Sequence, residues 1–281
     1  MLLFHFDKNG SRRIADLDNL YQDQSLFLVC GGPSLHDMEM GMLQMGGVMS
    51  MAVNNAATVV STNLWCGGDN PACYAPEIFE NAALTKLAPL PMAETTVNGK
   101  QYFQYPNLFF YVPEKDVPWH RFLEKSPSVP WYHNTLFSSI HIAYMLGFRR
   151  IYLVGCDFGF KSEVYAYQTQ LSEEEKDWNR RLYKYQAEEL IGLKPLFDQG
   201  GLEIVEVATR SHLGGTYRRV WMSDAVKEEW NAMFKSERGP KMTMSLPHSS
   251  RFAKKTIGDI IESQRTPEFK SKTTEVPVTV I

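Results

Sequence analysis

Apolar residues along this chain fall in short runs, and each run ends in small, amide or acidic residues. Leu26 to Cys30 runs into Gly31-Gly32-Pro33-Ser34, Val48 to Val53 into Asn54-Asn55, and Asn63 to Cys66 into Gly67-Gly68-Asp69-Asn70-Pro71. Ile151 to Gly155 runs into Cys156-Asp157-Phe158, and Leu202 to Val207 into Ala208-Thr209-Arg210-Ser211. A short continuous apolar run bounded by turn residues is the pattern of a strand buried on both faces. Between these runs lie segments of helical period. Leu35 to Leu43 stops at Gly46-Gly47, and Thr135 to Leu146 follows Asn134 and stops at Gly147. A long charged helix is predicted from about Ser172 to Phe197, with Ser172 and Glu175 spaced as a capping box, and another at Met222 to Phe234. The alternation predicts an α/β protein, a Rossmann-like and mostly parallel sheet with helices on both faces.

Residues 1 to 24 read as a lead-in strand or hairpin. Residues 72 to 133 show no sustained period and read as a connecting region with one more strand, Asn107 to Val112, and a smaller capping insertion. Its aromatics Trp119, Trp131 and Tyr132 can stack on a sugar or base, or simply pin the loop to the body. One domain over residues 1 to 235 is expected, followed by a basic, loosely ordered tail over 236 to 281. A short helix at Thr256 to Ser263 and disorder after Thr266 are expected of the tail.

In parallel α/β sheets, ligands collect outside the carboxyl ends of the strands. The Gly31-Gly32-Pro33-Ser34 turn is therefore a candidate phosphate cradle, in which N–H groups and a helix start face an anion. The same turn also joins strand to helix in proteins with no ligand there. Asn54, Asp69, Asn70 and Asp157 are each explained alone by turn chemistry. Together at one sheet edge they outline a crevice.

Composition narrows the field. The chain has 281 residues, 44% hydrophobic and 22% charged, which fits a globular protein and not a disordered or collagenous one. A net charge of -3 argues against a nucleic-acid footprint over the whole protein, and leaves the basic tail as the support for a nucleic-acid partner. No apolar run approaches the roughly 18 residues of a membrane span, and the N-terminus lacks a signal peptide's order, so a soluble cytoplasmic protein is expected. Four sparse cysteines, of which Cys66 and Cys73 alone are close in sequence, give no zinc pattern.

The blocks FLVCGGPSL, MAVNNAA, GGDNPACY and NTLFSSIHIAYMLGFRRIYLVGCDF followed by VYAY resemble the bacterial sialyltransferase-like glycosyltransferases, the family of Campylobacter lipooligosaccharide sialyltransferases. They are similar too to the related domain of motility accessory factors that glycosylate flagellin and of archaeal 6-hydroxymethylpterin diphosphokinases. The resemblance covers roughly residues 25 to 75 and 133 to 210. It implies a nucleotide-sugar-dependent glycosyltransferase of CMP-nonulosonate type, with a glycan or other hydroxyl as acceptor and no required cofactor. Gly31, Gly32, Pro33, Ser34, Asn54, Asn70 and Thr135 would surround the CMP, and Tyr165 would donate a hydrogen bond to the leaving phosphate.

Two positions depart from the family. Gly159 stands where a second phosphate-binding tyrosine is expected, and Asn179 to Tyr185 holds no histidine where the family has its catalytic one. His133 and His212 are substitutes by position. Three alternatives stay open. One is a diphosphokinase in which Asp69 and Asp157 hold Mg²⁺ against ATP. The second is a transferase acting on DNA or another polymer, and the third a nucleotide-binding protein without chemistry. An oligomer is compatible with each.

Overall fold

A computed structural model describes residues 1–132, 134–159, 165–167, 171–208 and 211–235. The tail, its expected helix and His133 lie outside the described residues. Among the described residues, ten strands form one sheet. In chain order they are β1 (Leu3–Phe6), β2 (Arg12–Ala15), β3 (Ser25–Val29), β4 (Ser50–Val53) and β5 (Leu64–Cys66), then β6 (Thr85–Pro89), β7 (Leu108–Tyr111), β8 (Arg150–Val154), β9 (Glu203–Val207) and β10 (Arg218–Arg219). Their spatial order is β10-β9-β8-β3-β4-β5-β6-β7-β1-β2. All pairs from β10 to β7 are parallel, and the lead-in hairpin β1-β2 closes the far edge with antiparallel pairing. The α/β, mostly parallel sheet expected from the apolar runs is the observed architecture.

Alternate residues of each central strand feed two core layers, as the period of a pleated strand requires. On one face Leu26, Leu28, Ile151 and Leu153 pack with Phe137 and Ile140 of α2 (Thr135–Met145), Leu190 of α3 (Glu173–Gly192) and Phe197 of α4 (Lys194–Gln199). On the other, Phe27, Val29, Tyr152 and Val154 pack in one layer with Ile78 and Phe79 of α1 (Pro76–Glu80) and with Ala225 and Val226 of α5 (Met222–Lys235). Every residue of α2 but Tyr144 is buried, including the polar Thr135, Ser138, Ser139 and His141, so this helix is enclosed all round rather than half-exposed.

Three elements differ from expectation. The stretch 72–133 supplies two strands of the main sheet, β6 as well as β7. The long charged helix breaks at Leu193 into α3 and α4, because Pro195 in the next turn has no N–H to continue the ladder. Leu35 to Leu43 forms two 3₁₀ segments, Pro33–Asp37 and Met40–Gln44, in place of one short helix.

Candidate functional site

From β3 the chain steps through β4 to β7 in one direction, and from β8 through β9 to β10 in the other. Neighbouring loops after β3 and β8 therefore diverge, and a crevice opens between them at the carboxyl edge of the sheet. A cavity of about 340 Å³ lies there, within the range of small-molecule sites.

Its floor is the junction of the two loops. The Cys30 N–H donates to Val154 O at 2.8 Å, and the Gly32 N–H to Gly155 O at 2.8 Å. The Ser34 N–H donates to Asp157 Oδ2 at 2.9 Å, and its hydroxyl donates to Asp157 Oδ1. A Cβ at Gly32 would lie 2.4 Å from Gly155 O and 2.7 Å from Asp157 Oδ2, so only glycine permits the loops to meet this closely. The turn thus differs from the open row of donors expected of a cradle. An internal carboxylate already occupies the place of the anion, and the Leu35 N–H bonds back to Gly32 O. Ser34 is buried beneath the floor and does not line the cavity, whereas Gly31, Gly32, Pro33 and Asp157 do. Beside them, the neighbouring Cys30 thiol and burial both raise the Cys156 thiol and keep it protonated.

The adjoining wall comes from the ends of β4 and β5. Asn54 adopts φ 53°, a left-handed conformation that asparagine tolerates, and its carbonyl accepts from Trp65 Nε1 at 2.7 Å. The Tyr74 hydroxyl donates to Asn54 Oδ1 at 3.0 Å and accepts from the Asp69 N–H at 2.7 Å, tying the two strand ends together. Burial, reinforced by the Asp69 carboxylate, pushes the Tyr74 hydroxyl well above its ordinary pKa and keeps it a donor. With one lone pair of Oδ1 engaged by Tyr74, the Asn54 amide still offers its Nδ2 donor pair and a second Oδ1 lone pair. Asn54 and Asp69 line the cavity. Asn70 does not: it is exposed, and its Oδ1 accepts from the Ala72 N–H as a cap.

Opposite stands the N-terminus of α2. Asn134 Oδ1 caps the Leu136 N–H at 2.7 Å, and Asn134 and Thr135 both line the cavity. Gly68 lets the β5 loop press against this helix start, since a Cβ there would lie 2.7 Å from Thr135 Oγ1. The positive end of an eleven-residue buried helix therefore faces the cavity.

The remaining wall is α3 together with residues 165–167. Asn179, Leu182, Tyr183 and Gln186 recur at helical spacing and present one face of α3 to the cavity. Tyr183 donates to the Tyr165 hydroxyl at 2.5 Å, and the rings of Tyr165 and Tyr167 stack at 4.9 Å and 6°. The Tyr167 ring in turn rests on Gly31, where a Cβ would come within 2.6 Å of it. Gly159 also lines the cavity, and the space a side chain would need there is filled by His212: a Cβ at 159 would lie 2.5 Å from His212 Nε2. His212 is itself exposed at the rim.

Sequence reasoning missed Asn134, Asn179, Tyr183 and Gln186. The last three carried a usable signal in their spacing on a helix that follows β8 and packs on that face of the sheet. The aromatics of the preceding segment resolve differently. Trp119 and Tyr132 stack at 3.8 Å and pack with Phe122 and Phe137, so they pin the loop to the core. Among the described residues that line the cavity, the charged ones are Asp69 and Asp157.

No family model matches the chain, and no curated protein matches it in sequence. Two solved structures are similar to it. One is the MAf glycosyltransferase from Magnetospirillum magneticum AMB-1, at 13% identity and a TM-score of 0.46, matched over 85% of this chain and 39% of that one. This chain thus spans about two fifths of that protein's length. The other is the sialyltransferase CstII from Campylobacter jejuni in complex with a substrate analogue, cytidine-5'-monophosphate, at 12% identity and a TM-score of 0.42, over 70% of this chain and 85% of that one.

Proposed function

We propose that the protein is a glycosyltransferase that takes a CMP-nonulosonate-type donor and passes the sugar to an acceptor hydroxyl on a glycan or similar molecule. The observation that carries this reading is the convergence of neutral donors in one cavity at the switch point of the sheet. The Tyr165 hydroxyl, Thr135 at the α2 N-terminus and the Asn54 amide line it together. In the transfer, the bond from the anomeric carbon to the phosphate oxygen breaks and its electron pair passes to the phosphate. The acceptor oxygen bonds to that carbon, and the acceptor's proton passes to a base. Fixed hydroxyls and a helix N-terminus stabilise the charge growing on the phosphate without a metal. His212, against Gly159 at the rim, is the base this reading assigns; His133 lies outside the described residues.

Isothermal titration against CMP, CDP, UDP and their sugars tests the reading, with binding of a cytidine nucleotide below millimolar concentration as the expected result. No binding by any of them sinks it. Turnover is tested with Tyr165→Phe, expected to lower donor cleavage at least tenfold while the protein still binds nucleotide. A second reading, Mg-ATP diphosphoryl transfer, draws on Asp69 and Asp157 lining the same cavity. Strict Mg²⁺ dependence with release of AMP would replace the first reading by this one.

A further inference from the structure

Tyr165 does not stand alone in the cavity wall. A tyrosine hydroxyl has one hydrogen to give and two lone pairs to receive with. Tyr183 donates its hydrogen to the Tyr165 oxygen, so the Tyr165 hydrogen is the one hydrogen of that pair directed elsewhere. The residues on either side limit where it can go. The Tyr165 ring is stacked on Tyr167, Tyr167 rests on Gly31, and the Ala166 N–H donates to Gly31 O at 2.9 Å. This short segment is thus clamped to the floor of the cavity while Tyr183 reaches it from α3. A hydroxyl that accepts a hydrogen bond becomes a better donor through polarisation.

From this geometry we infer that Tyr183 is a positioning residue: by donating to the Tyr165 oxygen it commits the Tyr165 proton to a phosphate oxygen of the bound nucleotide. The inference rests on the nucleotide-binding part of the function proposed above.

The test is a double-mutant cycle on nucleotide binding by the full chain, which needs no turnover. Tyr165→Phe, Tyr183→Phe and the double variant are titrated with CMP and, separately, with cytidine, which lacks the phosphate. Tyr165→Phe is expected to weaken CMP about 10- to 100-fold, in the range of a hydrogen bond to a charged group, and Tyr183→Phe by a smaller factor. The double variant should be no weaker than Tyr165→Phe alone, and cytidine should bind all four proteins equally. If Tyr183→Phe binds CMP as the wild type does, or if the two losses multiply, the inference is overturned and the nucleotide site stands. Equal losses for cytidine and CMP overturn it as well, because they mark a merely structural role. Wild-type protein that binds neither CMP nor any other nucleotide overturns the site and the inference together. Should Tyr183→Phe fail to fold, 3,5-difluorotyrosine placed at 183 keeps the ring size and strengthens the donor. Tighter CMP binding is then expected, and an unchanged affinity overturns the inference.

Discussion

His141 sits inside α2 with no exposed surface, its Nδ1 2.6 Å from the Phe122 carbonyl and its Nε2 without a hydrogen-bond partner. A carbonyl accepts, so the proton belongs on Nδ1 and the ring is neutral. Burial pushes its pKa down to about 4, with smaller and opposed contributions from the Phe122 carbonyl, the terminal amine, Asp18 and Glu114. The folded value lies below the unfolded one near 6.5, so between them the unfolded chain binds more protons. Stability is therefore present above pH 6.5 and lost as the pH falls through that window, by roughly 3 kcal/mol at most. Thermal unfolding followed from pH 7 to 4 should show this loss, and His141→Gln, which cannot titrate, should have a shallower slope. Equal slopes would place the acid sensitivity elsewhere. At this scale the sequence was partly legible. Gly31, Asn54 and Asp157 could be found because each ends an apolar run. The Ser34–Asp157 pairing joins residues 123 positions apart, and the Tyr183–Tyr165 bond joins a helix to a separate short segment. Such pairings depend on which strands become neighbours, and no local pattern encodes that.

Among the elements, α2 ties the core to the site, and its first turn depends on Asn134. The Asn134 side chain satisfies the Leu136 N–H, one of the donors a helix start leaves unpaired. Asn134→Ala should lower stability by about 1 kcal/mol in urea unfolding, and Asn134→Asp, which keeps the accepting oxygen, should recover most of it. A neutral Asn134→Ala would mean that water replaces the cap at no loss. Elements buried on both faces were readable because their apolar runs are uninterrupted. The exception, β6, shows what hides a strand. It begins with Thr85 and Lys86 and ends in Pro89, yet Lys86 is fully buried, its Nζ donating to Asn81 O at 2.6 Å and Leu84 O at 2.9 Å. A lysine satisfied by loop carbonyls reads in sequence as a surface residue. Burial lowers its pKa to about 7, which agrees with an ammonium taken out of water.

For the molecule as a whole, topology and charge bear on one question: what would neutralise the phosphate that the proposed function brings to the switch point. The chain is net acidic, while residues 236–281 hold more Lys and Arg than Asp and Glu, so the remainder is more acidic still. The charged side chains described around the cavity are both carboxylates, one of them committed to Ser34. Under the proposed function, hydroxyls, amides and the α2 N-terminus are left to do the neutralising, and such short-range contacts respond little to ions. Nucleotide affinity carried by them should change by less than about twofold between roughly 50 and 500 mM salt, because screening acts chiefly on exposed charge pairs. It should also persist in EDTA. Titrations of CMP at several salt concentrations, with and without EDTA, separate the cases. A steep fall with salt would point to cations beyond the described wall and overturn this account of the site. A loss in EDTA restored by Mg²⁺ would instead make Asp69 a metal ligand and favour phosphoryl over glycosyl transfer.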